Sequence, residues 1–256
     1  AEEWDRTGLL VGDPAAPVRA VAVALDPTVG AIDAAADAGA NVLVTHHPAY
    51  LTPPTSFQPA SSPALNSGAV VYRAIQRGVA LMNFHTALDV SARAQRMLPG
   101  MLGLSLRGVV EPKAGCAEKG YGQLCAPAEK MTLGQLAARC TSVFGRAPRV
   151  WGSFDRVART VVTCTGSAGP TGRAALAAGA DVLVAGEVKY HDALDLSQAG
   201  MAVIDLGHDT SELPFCGVLA ASVRDAGVPD ELVAVVSQRD RWSYPEAVRV
   251  SLAHRA

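Results

Sequence analysis

The chain writes one pattern twice. Residues 18–45 run Val-Arg-Ala-Val-Ala-Val-Ala-Leu, then Asp26-Pro27-Thr28, an Ala-rich stretch, and Ala38-Gly39-Ala40-Asn41-Val42-Leu43-Val44-Thr45. Residues 158–185 repeat it with Thr160-Val161-Val162-Thr163-Cys164, a turn at Gly166-Ser167-Ala168-Gly169-Pro170, an Ala-rich stretch, and Ala178-Gly179-Ala180-Asp181-Val182-Leu183-Val184-Ala185. Each copy reads strand, turn, helix, strand. Pro27 and Pro170 suit a helix's first turn, and Gly39 and Gly179 suit its end. The closing strands are apolar without alternation, as expected of strands buried on both faces. A crossover helix between them implies parallel pairing. Each half then continues with a further helix, at 68–78 and 190–199, and a third strand. The expected fold is therefore α/β: two related α/β lobes from an internal duplication, residues 1–103 and 151–256, with 104–150 as a connecting segment. Part of the C-terminal segment is expected to pack on the first lobe. Thr132-Leu133-Gly134-Gln135 predicts a capping box opening a helix that runs to about Phe144. Residues 51–67, rich in Pro, Ser and Thr, read as a loop.

Chemistry gathers where the apolar strands stop. Asn41–Val44 leads into Thr45-His46-His47-Pro48, Ala80–Phe84 into His85-Thr86-Ala87-Leu88-Asp89, and Met201–Leu206 into His208-Asp209-Thr210-Ser211-Glu212. Ligands of open α/β sheets collect outside the carboxyl ends of strands. Two histidine–carboxylate pairs spaced four apart each face one side of a helical turn. With the double histidine they make six nitrogen and oxygen donors, enough for two metal ions. The competing reading is that Thr86-x-x-Asp89 and Asp209-x-x-Glu212 are helix caps. Gly186-Glu187-Val188-Lys189-Tyr190-His191 occupies in the second half the place of His46-His47 in the first. Glu187, Lys189 or His191 there would line the same cleft, or form a plain polar loop. Trp4-Asp5 reads as a pocket wall or as an aromatic cap on an edge strand.

The bulk properties exclude several alternatives. A net charge of −2 gives no support for nucleic-acid or membrane-surface binding. Apolar residues make up 49% of the chain, but Asp, Gly, His or Pro interrupts every run before a bilayer span is reached. The acidic N-terminus has no apolar core, so no signal peptide is expected. Five cysteines without Cys-x-x-Cys spacing fit a reducing cytoplasm and a metal site of nitrogen and oxygen ligands. Nucleotide-binding glycine loops and a Gly-x-Ser-x-Gly elbow do not occur.

Trp4-Asp5-x-x-Gly8-Leu9, Thr45-His46-His47-Pro48, His85-Thr86-x-Leu88-Asp89, Gly186-Glu187-x-Lys189-Tyr190-His191 and Gly207-His208-x-x-Ser211-Glu212 together resemble the Nif-three-like proteins, the GTP cyclohydrolase 1 type 2 family. The resemblance spans nearly the whole chain as a single domain of that family. It implies a two-lobed α/β fold with a dinuclear metal centre between the lobes at the strand C-terminal ends. It carries ligation of two divalent transition-metal ions (Zn, Mn, Fe, Co or Ni) onto His46, His47, Asp89, His208 and Glu212, with His85 beside them. It also implies a toroidal homohexamer. The sequence departs from the family pattern at Ala87 and Arg6, where Asn is usual, and lacks the helix that precedes the Trp-Asp motif. The expected function is a metal-dependent hydrolase in which activated water attacks a nucleotide-like substrate, for GTP at C8 of the imidazole ring. His85 or His191 would move the proton. The alternative is a non-enzymatic metal-binding scaffold or regulator acting through its ring.

Overall fold

The computed structural model describes residues 1–59 and 67–236. Part of the expected 51–67 loop and the end of the expected second lobe, residues 237–256, lie outside the described residues. The first half contains β1 (Gly8–Val11), β2 (Val21–Ala24), α1 (Val29–Asp37), β3 (Val42–Thr45), α2 (Gly68–Arg77), β4 (Ala80–Asn83), α3 (Thr86–Asp89) and α4 (Ala92–Met101). Next come β5 (Leu104–Lys113), β6 (Cys116–Pro127), β7 (Met131–Thr132), α5 (Leu133–Phe144), β8 (Arg149–Trp151) and β9 (Val157–Ala158). The second half follows with β10 (Val161–Ser167), α6 (Thr171–Ala177), β11 (Val182–Glu187), α7 (Tyr190–Gln198), β12 (Ala202–Asp205), α8 (His208–Glu212), α9 (Phe215–Asp225) and β13 (Val233–Val235).

Two sheets carry the fold, in the orders β1-β4-β3-β2-β13 and β5-β6-β10-β11-β12-β8. The central trios, β2-β3-β4 and β10-β11-β12, are parallel, and each is wound by the two helices that connect its strands. The expected helices at 68–78 and 190–199 are α2 and α7. Residues 104–151 are built into the second sheet: β6 runs antiparallel to β10, and β8 antiparallel to β12. β13, from the far end of the described chain, pairs with β2 in the first sheet.

The helix ends follow local chemistry. Gly39 and Gly179 take positive φ (80° and 75°) just past α1 and α6, as their lack of a Cβ allows. Thr132 and Gln135 form both bonds of the expected capping box. The two prolines lie before their helices rather than in the first turn. Thr28 is the N-cap of α1, its hydroxyl accepting from the Ala31 N–H, so Pro27 precedes the helix, and Pro170 is itself the N-cap of α6. A hydroxyl can satisfy an orphan N–H of the first turn, which a proline ring cannot.

Each sheet is covered on both faces. Ile32, Ala35, Val71 and Ala74 pack on one side of the first sheet, and Phe215, Leu219, Ala220 and Ala94 on the other. Leu98, Leu102, Leu133 and Leu136 cover one side of the second sheet; Ala175, Ala193 and Leu196 cover the other. Helix α4 thus places Ala94 against the first sheet's core and Leu98 in the second's, with Leu102 just past its end. Helix α9, made after the second sheet, packs on the first. The C-terminal ends of both parallel trios are thereby held face to face.

Candidate metal centre

Three strand ends deliver the histidines: β3 leads into His46 and His47, β4 into His85, and β12 into His208. The single turns α3 and α8 then bring Asp89 and Glu212 back beside them. Neither turn uses the cap of the competing reading. The N-cap positions fall on His85 and Gly207, with no side-chain cap bond. The Thr86 hydroxyl turns to Asp5 and the Asp209 carboxylate to Arg146 instead.

Glu212 is the meeting point. Its Oε1 lies 3.5 Å from His46 Nε2, and its Oε2 lies 3.0 Å from His47 Nε2 and 3.1 Å from His208 Nε2. Asp89 Oδ1 lies 3.6 Å from the same His46 nitrogen. The potential ligand atoms fall into two adjoining triads, His46–His47–His85 and His47–His208–Glu212, each with all atoms within 4.8 Å of one another. All five residues expected as ligands, and His85, are therefore brought together.

The outer faces of the imidazoles are equally ordered. His47 Nδ1 donates to Asp26 Oδ1 at 2.7 Å, His85 Nδ1 to Asp5 Oδ1 at 2.8 Å, His208 Nδ1 to Glu187 Oε2 at 3.0 Å, and His46 Nδ1 to the Phe84 carbonyl at 3.3 Å. Every ring thus has Nδ1 engaged by an oxygen. The inner atoms are poorly served by contrast. His46 Nε2, Asp89 Oδ1 and Glu212 Oε2 are buried with no hydrogen-bond partner, because the short approaches between Glu212 and the rings lack hydrogen-bond geometry. Leaving each such atom unsatisfied costs roughly 1–3 kcal/mol, so three in one place call for a ligand. A cation among Nε2 and carboxylate donors would satisfy all three, and the residues fit divalent transition metals bound through nitrogen and oxygen.

The electrostatics of the cluster's side chains are those of protons held where cations would go. Burial opposes the charge on His47, but Asp26 and Glu212 outweigh it and raise its pKa to about 10. The Glu212 carboxylate raises His208 to about 9. Burial pushes Asp89 up to about 6. Glu212 is also opposed by burial, yet His208, His46 and His47 hold it well below the usual carboxylate range. His85 is lowered, chiefly by burial. Asp5 is lowered against its burial by the bonds from Thr86 and His85.

The backbone under Glu212 is equally constrained. Gly166, in an irregular step of β10 at φ 61°, passes so close that a Cβ there would overlap Glu212 Oε1. Its N–H donates to Ser211 Oγ at 2.9 Å, and that hydroxyl donates to the His208 carbonyl at 2.8 Å. The buried Asp205 accepts from the N–H groups of Val188 and Gly207 at 3.1 Å each and from Arg149 at 2.5 Å, fixing the loops that carry Glu187 and His208.

A cleft of about 380 Å³ opens onto this centre, lined by Asp26, His47, Glu187, His208, Asp209 and Arg149 among others. A larger cavity of about 990 Å³ lies along the first sheet, but its lining is almost wholly apolar and none of the centre's histidines or carboxylates contributes to it. Of the second-half residues expected to line the cleft, Glu187 does so. Lys189 and His191 are exposed at the start of α7, and the His191 ring contacts Tyr190 rather than the cluster. Asp26 and Asp5 were not expected to act on the histidines. Asp26 stands in a turn whose Asp-Pro-Thr spelling reads as punctuation, and Asp5 comes from the segment ahead of β1, the strand paired with β4.

Comparison with known proteins agrees with this architecture. The family model Duf34/NIF3 (NGG1p interacting factor 3) matches residues 1–241. A Streptomyces coelicolor protein named GTP cyclohydrolase 1 type 2 homolog is 30% identical over 230 residues, covering 87% of this chain and 79% of that relative. A Clostridium acetobutylicum protein of the same name is 28% identical, covering 88% of this chain and 84% of its own length. Among solved structures, the Staphylococcus aureus hypothetical protein SA1388 superposes with a TM-score of 0.85 at 25% identity, covering 96% of this chain and 93% of that one. A Bacillus cereus protein related to NIF3 shares the fold, with a TM-score of 0.84 at 21% identity over 96% of this chain and 94% of its own. With the family model spanning both sheets and every strand-end histidine of the centre, the chain belongs to the Duf34/NIF3 family.

Proposed function

We propose that this protein binds two divalent transition-metal ions between its lobes and acts as a metal-dependent hydrolase on a nucleotide-like substrate. The observation that carries the reading is the treatment of the four imidazoles: each has Nδ1 engaged by an oxygen, while the buried donors and acceptors between them lack partners. Hydrogen bonding of the remote ring nitrogen is how proteins orient metal-binding histidines. His46, His47, Asp89, His208 and Glu212 would hold the ions, with Glu212 reaching both triads. Bound divalent ions supply Lewis acidity toward a carbonyl, imine carbon or phosphoryl group and bring the pKa of water toward neutrality. The chain's own residues do the rest. Asp26 and Glu187 aim His47 and His208, the cleft beside them admits substrate, and His85, grouped with His46 and His47 behind it, takes up and returns a proton. The names of the curated relatives support GTP as the first substrate to try. Elemental analysis of protein purified without chelator should find more than one transition-metal ion per chain. GTP turnover should then appear on reconstitution with Zn or Mn. Metal content that stays near zero after reconstitution would end this reading.

A second reading is a metal-binding scaffold without turnover. It is favoured by the origin of the donors, since His46, His47 and Asp89 come from the first half and His208 and Glu212 from the second, so bound ions would clamp the lobes together. Absence of GTP turnover, with loss of assembly in His47→Ala, would favour it. We also propose the family's homohexameric ring, to be checked by light scattering on the eluting oligomer, and a cytoplasmic location. All five cysteines are free thiols, which suits a reducing compartment, and no helix among the described residues is long and apolar enough to cross a membrane.

A further inference from the structure

Asp5 differs from the other two carboxylates that hold ring nitrogens. Asp26 and Glu187 keep 33% and 54% of their side-chain surface exposed, whereas the Asp5 side chain is 0% exposed. Both of its oxygens are committed. Oδ2 accepts from the Thr86 N–H at 3.0 Å and from the Thr86 hydroxyl at 2.5 Å, while Oδ1 accepts from the Arg6 N–H at 2.8 Å and faces His85 Nδ1 at 2.8 Å. The direction of the hydroxyl bond is fixed from the other side, because Thr86 Oγ1 accepts the Glu2 N–H at 2.9 Å and so turns its own proton to Asp5. The Glu2 carboxylate accepts from Tyr121 Oη at 2.8 Å and also pairs with Lys113, which ties this N-terminal segment to the β5–β6 hairpin. Trp4 stands edge-on to the His85 ring with centroids 5.8 Å apart, and His46 and His47 flank the ring at 5.3 and 5.7 Å.

From this geometry we infer that Asp5 is a positioning residue: it locks His85 in the tautomer with the proton on Nδ1, so that Nε2 always presents a lone pair. A carboxylate with both oxygens accepting offers His85 only an acceptor, and the ring must donate to it. The Trp4 edge restricts rotation of the ring about that bond. His85 thereby enters the centre as a proton acceptor or electron-pair donor and never as a neutral Nε2–H donor. This extends the role given to His85 above and rests on that reading for its chemical consequence, though the tautomer itself exists with or without metal.

Removal of the carboxylate tests the assignment, because in Asp5→Ala the acceptor facing His85 Nδ1 is gone and either ring nitrogen can carry the proton. An amide would not decide it, since the Thr86 and Arg6 N–H groups each face one of the two carboxylate oxygens and either could claim the Asn oxygen. Solid-state 15N spectra of protein labelled at histidine distinguish protonated from bare ring nitrogens, and absence of the His85 signals in His85→Gln assigns them. The metal-free wild type should carry the His85 proton on Nδ1, and Asp5→Ala should give a mixture. Should Asp5→Ala fail to fold, the wild-type spectrum alone decides. A wild-type proton on Nε2, or an unchanged Nδ1 proton in folded Asp5→Ala, overturns the inference. The same spectra with zinc added separate the two proposals. Histidine shifts indifferent to zinc, with the tautomer as stated, sink the metal centre and leave Asp5's role standing.

Discussion

Glu212 of the second half and His47 of the first meet at 3.0 Å, Oε2 to Nε2, across the gap between the two sheets. The approach is short yet lacks hydrogen-bond geometry, and Glu212 is almost wholly buried. A like contact links Glu212 to His208 on its own turn. A carboxylate in that position would help to hold the metal ions. Replacing Asp89 and Glu212 together by Ala should abolish bound metal in elemental analysis of the folded protein. Full metal retention in that double variant would mean that neither is a ligand.

Asp26 should matter through His47. Removing a hydrogen-bonded partner of a metal-binding histidine weakens affinity about 10–100-fold. Asp26→Ala should therefore raise the dissociation constant for zinc by that factor in competition with a chromophoric chelator. Lys189→Ala, exposed at the start of α7, should leave it unchanged. Equal affinities for wild type and Asp26→Ala would remove Asp26 from the centre.

The metal-free protein should lose stability in alkali. His47 and His208 have folded pKa values raised to about 10 and about 9, above the unfolded value near 6.5. Their contribution is fully present below about pH 6.5 and disappears as pH rises through those values, because the folded chain then holds protons that the unfolded chain has already lost. Zinc requires the deprotonated rings, so its stabilisation should grow over the same interval. Melting temperatures from pH 6.5 to 10, with and without zinc, should diverge. A metal-free curve that stays flat would count against the paired state of these histidines.

Two glycines of positive φ separate backbone cost from crowding. Gly179→Ala meets nothing within 4 Å and should cost about 1–2 kcal/mol from its left-handed backbone alone. Gly166→Ala carries the same backbone cost and also drives a methyl group into Glu212 Oε1. It should lower the melting temperature further and reduce metal content, whereas Gly179→Ala should keep its metal. Equal metal content in the two variants would show that Glu212 can shift without consequence.

The parallel trios were legible because their strands are largely apolar without alternation, as in Val-Ala-Val-Ala and Val-Leu-Val, and because Gly39 and Gly179 mark the ends of their crossover helices. The inner donors were legible for a related reason: a histidine directly after such a strand has little to do except face the sheet's end. What escaped was whatever depends on contacts distant in sequence. Asp5 reaches Thr86 and His85 from the segment ahead of β1, and nothing in Trp4-Asp5 states that partner. Asp26 looks like any turn aspartate until His47 lies beside it. The β5–β6 hairpin passed as a connector because Leu104–Lys113 mixes exposed and half-buried positions, and its place beside β10 is set by pairing rather than by its own pattern. His191 was legible as part of a motif, but its place was not: the first turn of α7 carries it to the surface beside Tyr190.

The pairing of β13 with β2 has a consequence for how the protein is made. Val233, Ala234 and Val235 align with Val21, Ala22 and Val23, so the strand that closes one edge of the first sheet leaves the ribosome after every strand of the second. Throughout synthesis β2 waits as an open edge, and the face later covered by Phe215 and Leu219 stays wet. Neither half can be finished by its own residues, since the first lends α4 to the second and borrows α9 and β13 in return. A chain cut between the halves should therefore yield two sticky fragments rather than two domains, and the centre they share would form last.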